Sequence, residues 1–218
     1  MTIVSNVDEA PLRSDAERNL RQIRSAALAV ISERGTDVGM EEIAQRAGVG
    51  VGTLYRRFPS KDALVDELLR AILDDLLVVA RGAVGRADGS GLAAFLEAIG
   101  RSLAAHQGCA NLMLRRPARP EQTAEMRRLI VELIDQARRS GAVAEHITVG
   151  DVYALIWALR GLVETTASVA PRAWERHLEL HLAGLRATPA PTRKRGLTMA
   201  QLDAISARRA SAVEPDPS

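Results

Sequence analysis

The residues best suited to chemistry cluster between Gly48 and Lys61. Tyr55 carries a hydroxyl at the end of a rigid ring, Lys61 a point charge, and Arg56 and Arg57 two guanidinium forks. Each can donate a hydrogen bond to a phosphate oxygen, and a fork also matches paired acceptors on a base edge. Thr53 can meet a base edge through its hydroxyl, and Val51 through contact with a thymine methyl. Gly48 and Gly52 allow a tight turn and close approach of backbone to phosphate. Leu54 and Phe58 are placed to face inward and anchor the segment. Val49, Gly50, Val51 and Gly52 offer little hydrogen bonding, so base selection is expected to rest on Thr53, Arg56 and DNA shape.

Other pairings are weaker. His177 and His181 share a helix face with Glu175 and Glu179 near them, a spacing zinc can use. Without a third ligand in view, surface or interface histidines are the plainer reading, and no metal or other cofactor is expected. His106 and Cys109 lack a nucleophile context, so Cys109 is read as a small packing residue. Trp157 and Trp174 are candidates to line a cavity. No convergent acid, base or nucleophile appears in the second half, which argues against an enzyme.

These groups must be positioned by helices. The chain of 218 residues is 47% hydrophobic and only 3% aromatic, so its core must be mostly Leu, Val, Ile and Ala. That composition favours helix. A net charge of +2 gives no global field for nucleic acid, and the local distribution has to carry that case. The lone Cys109 excludes an intramolecular disulfide and fits a reducing cytoplasm. No stretch is apolar enough to span a bilayer, and Met1 to Arg13 lacks a signal-peptide core.

Residues 1–13 read as a flexible arm, followed by a helix opening on a Ser14/Glu17 capping box and closing at Gly35. Two short helices fit Met40 to Ala47 and Gly50 to Phe58, with Pro59 ending the second. Ser60 caps a long helix striped by Leu64, Leu68, Ile72, Leu76 and Val79. Helical pattern resumes over Leu92 to His106, breaks over Asn111 to Pro120, and returns over Glu121 to Arg139. Thr148 caps an apolar helix to about Ala167, and Pro171 suits the first turn of the next, to about Ala187. Beyond Pro189 the chain reads as mostly mobile, apart from a Thr198/Gln201 capping box that suggests a helix over Met199 to Arg209. The class is all-α, with a DNA-binding domain over 14–70, a ligand-binding and dimerisation domain over 71–188, and a tail over 189–218.

Three short helices around a glycine turn follow helix-turn-helix logic, the third entering the major groove. Residues 39–61, GMEEIAQRAGVGVGTLYRRFPSK, resemble the tetracycline-repressor (TetR) family in the IAQRAGV turn, the TLYRRF helix and the following Pro-Ser-Lys. The resemblance covers about residues 14–70 and implies that Tyr55 and Lys61 contact the DNA backbone. Arg13, Arg18, Arg21 and Arg24 are candidates to extend that footprint, although a solvated face is the plainer reading.

The expected function is a cytoplasmic, homodimeric repressor on a palindromic operator in double-stranded DNA, released by a small apolar effector. The expected pocket wall is Phe95, Ile99, Leu103, Leu112, Met113, Met126, Ile130 and Trp157, with His106 or Arg115 as polar anchors. The expected dimer face is Val152, Leu155, Ile156, Leu159, Leu162 and Val163 on one helix and Leu178, Leu182 and Leu185 on the next. Alternatives are a dimeric regulator that senses no ligand, a helical enzyme and a helical adaptor. The last two leave residues 39–61 unexplained.

Overall fold

A computed structural model describes residues 9–35, 37–86, 88–109, 119–186 and 196–211, with side chains omitted at 9–17, 206 and 209–211. Among the described residues the regular elements are helices, and none is long and apolar enough to cross a membrane. The chain divides into two compact units, 1–68 and 69–218, and the division falls inside a single helix.

The first unit contains α1 (Glu9–Arg34), α2 (Met40–Ala47), α3 (Val51–Arg57) and the start of α4 (Lys61–Val84). Its core is aliphatic: Ile23, Ala27, Val30 and Ile31 of α1 are buried, as are Ile43, Ala44, Leu54, Phe58, Leu64 and Leu68. Ion pairs link the helices at their margins, Arg24 to Glu67, Arg34 to Glu42 at 2.7 Å and Arg46 to Glu33 at 2.9 Å. The break between α2 and α3 is made by Gly48, at φ 67° and ψ 29°, whose N–H returns to the Ala44 and Gln45 carbonyls. Only glycine takes that left-handed conformation without steric cost. Phe58 is extended ahead of Pro59, and the Ala63 N–H donates to Ser60 Oγ at 3.1 Å to start α4.

The second unit holds the rest of α4 with α5 (Gly91–Ala105), α6 (Pro120–Arg139), α7 (Val149–Thr166), α8 (Ala173–Leu185) and α9 (Met199–Ser211). One cluster joins Phe95, Leu96 and Ile99 of α5 to Ile130 and Leu133 of α6, Leu155 and Leu159 of α7, and Trp174 and Leu178 of α8. α7 opens on a full capping box: the Thr148 N–H donates to Asp151 at 2.7 Å, and the Asp151 N–H donates to Thr148 Oγ1 at 3.3 Å. α9 repeats the device with Thr198 and Gln201.

Four expectations are corrected. Helix α1 starts at Glu9, so residues 9–13 are helical and Ser14 is interior; Pro11 is tolerated because first-turn N–H groups have no helical acceptor. On α4 the buried stripe leaves the expected line after Ile72 and follows Leu77, Ala80 and Ala83, with Val79 39% exposed. Pro171 lies in a turn before α8, whose N-cap is Arg172. The 196–211 segment is docked: Leu202 is buried, Arg127 pairs with Asp203 at 2.7 Å, and the Leu197 backbone lies against Gly150. The expected break over 111–118 lies outside the described residues.

Candidate nucleic-acid interface

Helix α3 is fixed from below. Leu54 is fully buried and Phe58 nearly so, as their types required. Val51 and Tyr55 are 38% and 42% exposed, Thr53 is half-buried, and Arg56 and Arg57 are exposed. A side chain at Gly52 would meet nothing, which leaves bare backbone facing outward. Arg56 Nη2 donates to Thr53 Oγ1 at 3.1 Å, tying together the two expected base readers. Lys61 is the first residue of α4, next to the Ser60 cap and half-buried. Here its charge adds to the positive end of the dipole of a long helix, a combination that suits phosphate.

The helix-one arginines separate. Arg18 and Arg21 are exposed, whereas Arg24 is half-buried in its pair with Glu67 and so has a structural role. The Arg13 side chain lies outside the described residues.

In the second unit the expected pocket wall is only partly assembled. Phe95, Ile99, Leu103, Met126 and Ile130 do meet in one cluster, but Phe95 and Ile130 are fully buried as packing residues. Trp157 is partly exposed, tilted against Tyr153 with ring centroids 6.3 Å apart. His106 caps the end of α5 half-buried, and its Nδ1 has no hydrogen-bond partner. Burial lowers its pKa, opposed by the nearby Asp75 carboxylate. Leu112, Met113 and Arg115 lie outside the described residues.

A groove of about 530 Å³ opens elsewhere, between α5 and α8, lined by Glu97, Arg101, Trp174, Glu175, Leu178 and Leu182 among others. Trp174 was a sequence candidate for a cavity wall; Glu97 and Arg101 were not. The available signal was Gly100, a glycine inside an apolar helix, which the Trp174 ring abuts.

The expected dimer face is also redistributed. Val152, Leu155, Leu159, Val163 and Leu178 are buried within their own chain and offer a partner nothing. Ile156, Leu162, Leu182 and Leu185 remain half-buried. On α7 the exposed residues are Ala154, Ala158, Glu164 and Thr165, all small or polar, and on α8 they include Leu180 and His181. The His177 and His181 rings meet tilted at 48° with centroids 4.1 Å apart, and His181 Nδ1 lies 2.9 Å from the His177 carbonyl oxygen. Glu175 pairs with Arg172 at 2.8 Å and Glu179 with Arg176 at 3.9 Å.

Comparison with known proteins agrees with this arrangement. Residues 23–68 match the profile of bacterial regulatory proteins of the tetR family, and residues 87–187 match an SbtR-like transcriptional regulator C-terminal domain. The HTH-type transcriptional repressor KstR of Mycolicibacterium smegmatis is 49% identical over 63 residues, 28% of this chain and 31% of that protein. The matches thus span only about a third of the curated relatives' length. A TetR transcription regulatory protein from Mycobacterium vanbaalenii superposes with TM-score 0.62 at 30% identity, covering 81% of this chain and 100% of the other. A TetR transcriptional regulator from Streptomyces coelicolor follows at TM-score 0.59 and 29% identity, covering 77% of this chain and 98% of the other. With a tetR-family profile over 23–68, a regulator C-terminal profile over 87–187 and a structural relative 30% identical that covers 81% of this chain, the chain belongs to the TetR family of transcriptional regulators.

Proposed function

We propose that this protein is a transcriptional repressor that binds a palindromic operator as a homodimer in the cytoplasm and is released by a small, largely apolar ligand. One observation carries the DNA-binding part: Leu54 of α3 and its C-cap Phe58 are buried while Tyr55, Arg56 and Arg57 are exposed, and Lys61 follows at the start of α4. A short helix presented that way fits the major groove, with Tyr55 and Lys61 on phosphates. The repressor KstR, alike over 63 residues, supports the sign of regulation.

Tyr55→Phe and Lys61→Ala should each weaken binding to all DNA sequences alike. Lys61→Ala should also reduce the salt slope of log K by about one unit. Tyr55 is exposed and Lys61 is the first residue of α4, outside the buried core, so circular dichroism should be unchanged. Wild-type affinity in both variants across a salt titration, measured by fluorescence anisotropy, would remove the docking scheme.

The ligand part rests on α4, which belongs to both units, so a shift at its far end reaches Lys61. Coupling of about 1–3 kcal/mol is enough for such control, and it must be reciprocal between ligand and DNA. The close packing of Phe95 and Ile130 favours a second reading, in which the second unit only dimerises and the protein senses nothing.

A further inference from the structure

We infer that Arg56 reads a guanine in each operator half-site and that Thr53 positions it. This rests on the DNA-binding reading above and assigns the base that the site selects. With about 100° between successive helical residues, Arg56 stands about 200° from the buried Leu54, on the far side of α3 from its core contacts. Gly52 and Thr53 flank that outward line, and Tyr55 and Arg57 lie toward the two sides. A helix lying in a groove therefore turns Tyr55 and Arg57 toward the walls, where the phosphates are, and Arg56 toward the base edges.

Chemistry narrows the choice further. Val51 and Gly52 bring no side-chain hydrogen-bonding group to the outward face. Arg56 brings a planar fork of donors, and guanine is the base that presents two adjacent acceptors, O6 and N7, in the major groove. Adenine sets a donor beside its acceptor and would oppose the fork. Thr53 accepts from one terminal nitrogen of Arg56 at 3.1 Å. That bond restrains a long side chain before DNA arrives, leaving the other guanidinium donors for the base. The absent side chain at Gly52 leaves the adjacent space open to the base pair.

The test uses the full chain with a randomised double-stranded DNA library, followed by anisotropy titrations on the selected site and its single-base-pair variants. Wild type should select a G·C pair in each half-site, and replacing that pair should cost roughly 5- to 150-fold. Arg56→Ala removes every side-chain donor at this position, so it should still bind DNA through the phosphate contacts while losing this preference. Thr53→Ala should weaken the preference and Thr53→Ser should restore it, whereas Tyr55→Phe should lower affinity equally on every variant. If Arg56→Ala keeps the wild-type base profile, the inference is wrong while DNA binding stands. A Thr53→Ala profile identical to wild type overturns the positioning role. A wild-type chain that enriches no sequence removes the DNA-binding reading and this inference together.

Discussion

A thiol shut away from water loses the proton exchange that makes cysteine reactive, and Cys109 is in that position. It is fully buried, and burial raises its pKa to about 11. The thiolate is the nucleophile, so at pH 8 roughly one molecule in a thousand is competent before access is considered. Native protein should therefore alkylate with iodoacetamide at least tenfold more slowly at pH 8 than denatured protein. Equal rates, followed by mass spectrometry, would contradict this picture. Single residues were legible in the sequence where type alone decides: Cys109 as packing, Leu54 and Phe58 as anchors, Ser60 as a cap. Arg24 was less so, because nothing local distinguishes a phosphate-binding arginine from one that meets Glu67, 43 residues away.

Helices were legible wherever their ends carry chemistry. Gly48, Pro59, Thr148 and Thr198 mark real boundaries because each changes the backbone or supplies a missing partner. The interior of α4 was less legible for a geometric reason. Leu64, Leu68, Ile72 and Val79 lie within about 80° of one another around the helix, so periodicity groups them, but after Ile72 the buried face itself moves round to Leu77, Ala80 and Ala83 and leaves Val79 exposed. The start of α1 was missed because Ser14 and Glu17 have capping-box spacing inside a helix already under way. At this scale Gly150 offers a test. A methyl group there would strike the Leu197 backbone, which cannot swing aside as a flexible side chain can. Gly150→Ala should loosen the docked segment, speeding amide exchange across 199–211 and costing about 1–3 kcal/mol. Gly82→Ala on α4, where a methyl meets nothing, should be neutral or stabilising. Unchanged exchange in Gly150→Ala would mean that the close approach does not hold α9 in place.

For the whole molecule, the all-helical architecture was readable from periodicity, yet the sequence could not divide apolar surface between a chain's own core and its partner. Both demands select the same residues, which is why Val152, Leu155 and Leu159 were expected at an interface and instead lie inside. The remaining exposed faces narrow the proposed dimer to Ala154, Ala158 and Thr165 on α7 with Leu180 and His181 on α8. Small residues let helices approach closely, and Leu180, 56% exposed, supplies an apolar contact. Wild type should sediment as a dimer at micromolar concentration. Leu180→Glu should sediment as a monomer with unchanged helicity and lose affinity for palindromic more than half-site DNA. A wild-type monomer, with and without DNA, would remove the two-fold scheme.

The contact of Leu197 with Gly150 also bears on the order in which the chain is made. Leu197 follows Gly150 by 47 residues, so at the usual pace of translation it appears roughly 2–9 s later. In that interval α7 can form its own capping box, because Thr148 and Asp151 are both already present. The surface that will receive Leu197 and α9 stays uncovered throughout. The residues that build the first turn of α7 are therefore all made before the backbone that packs against them. Gly150 gives that waiting surface no side chain, and so leaves little there for a stray partner to hold.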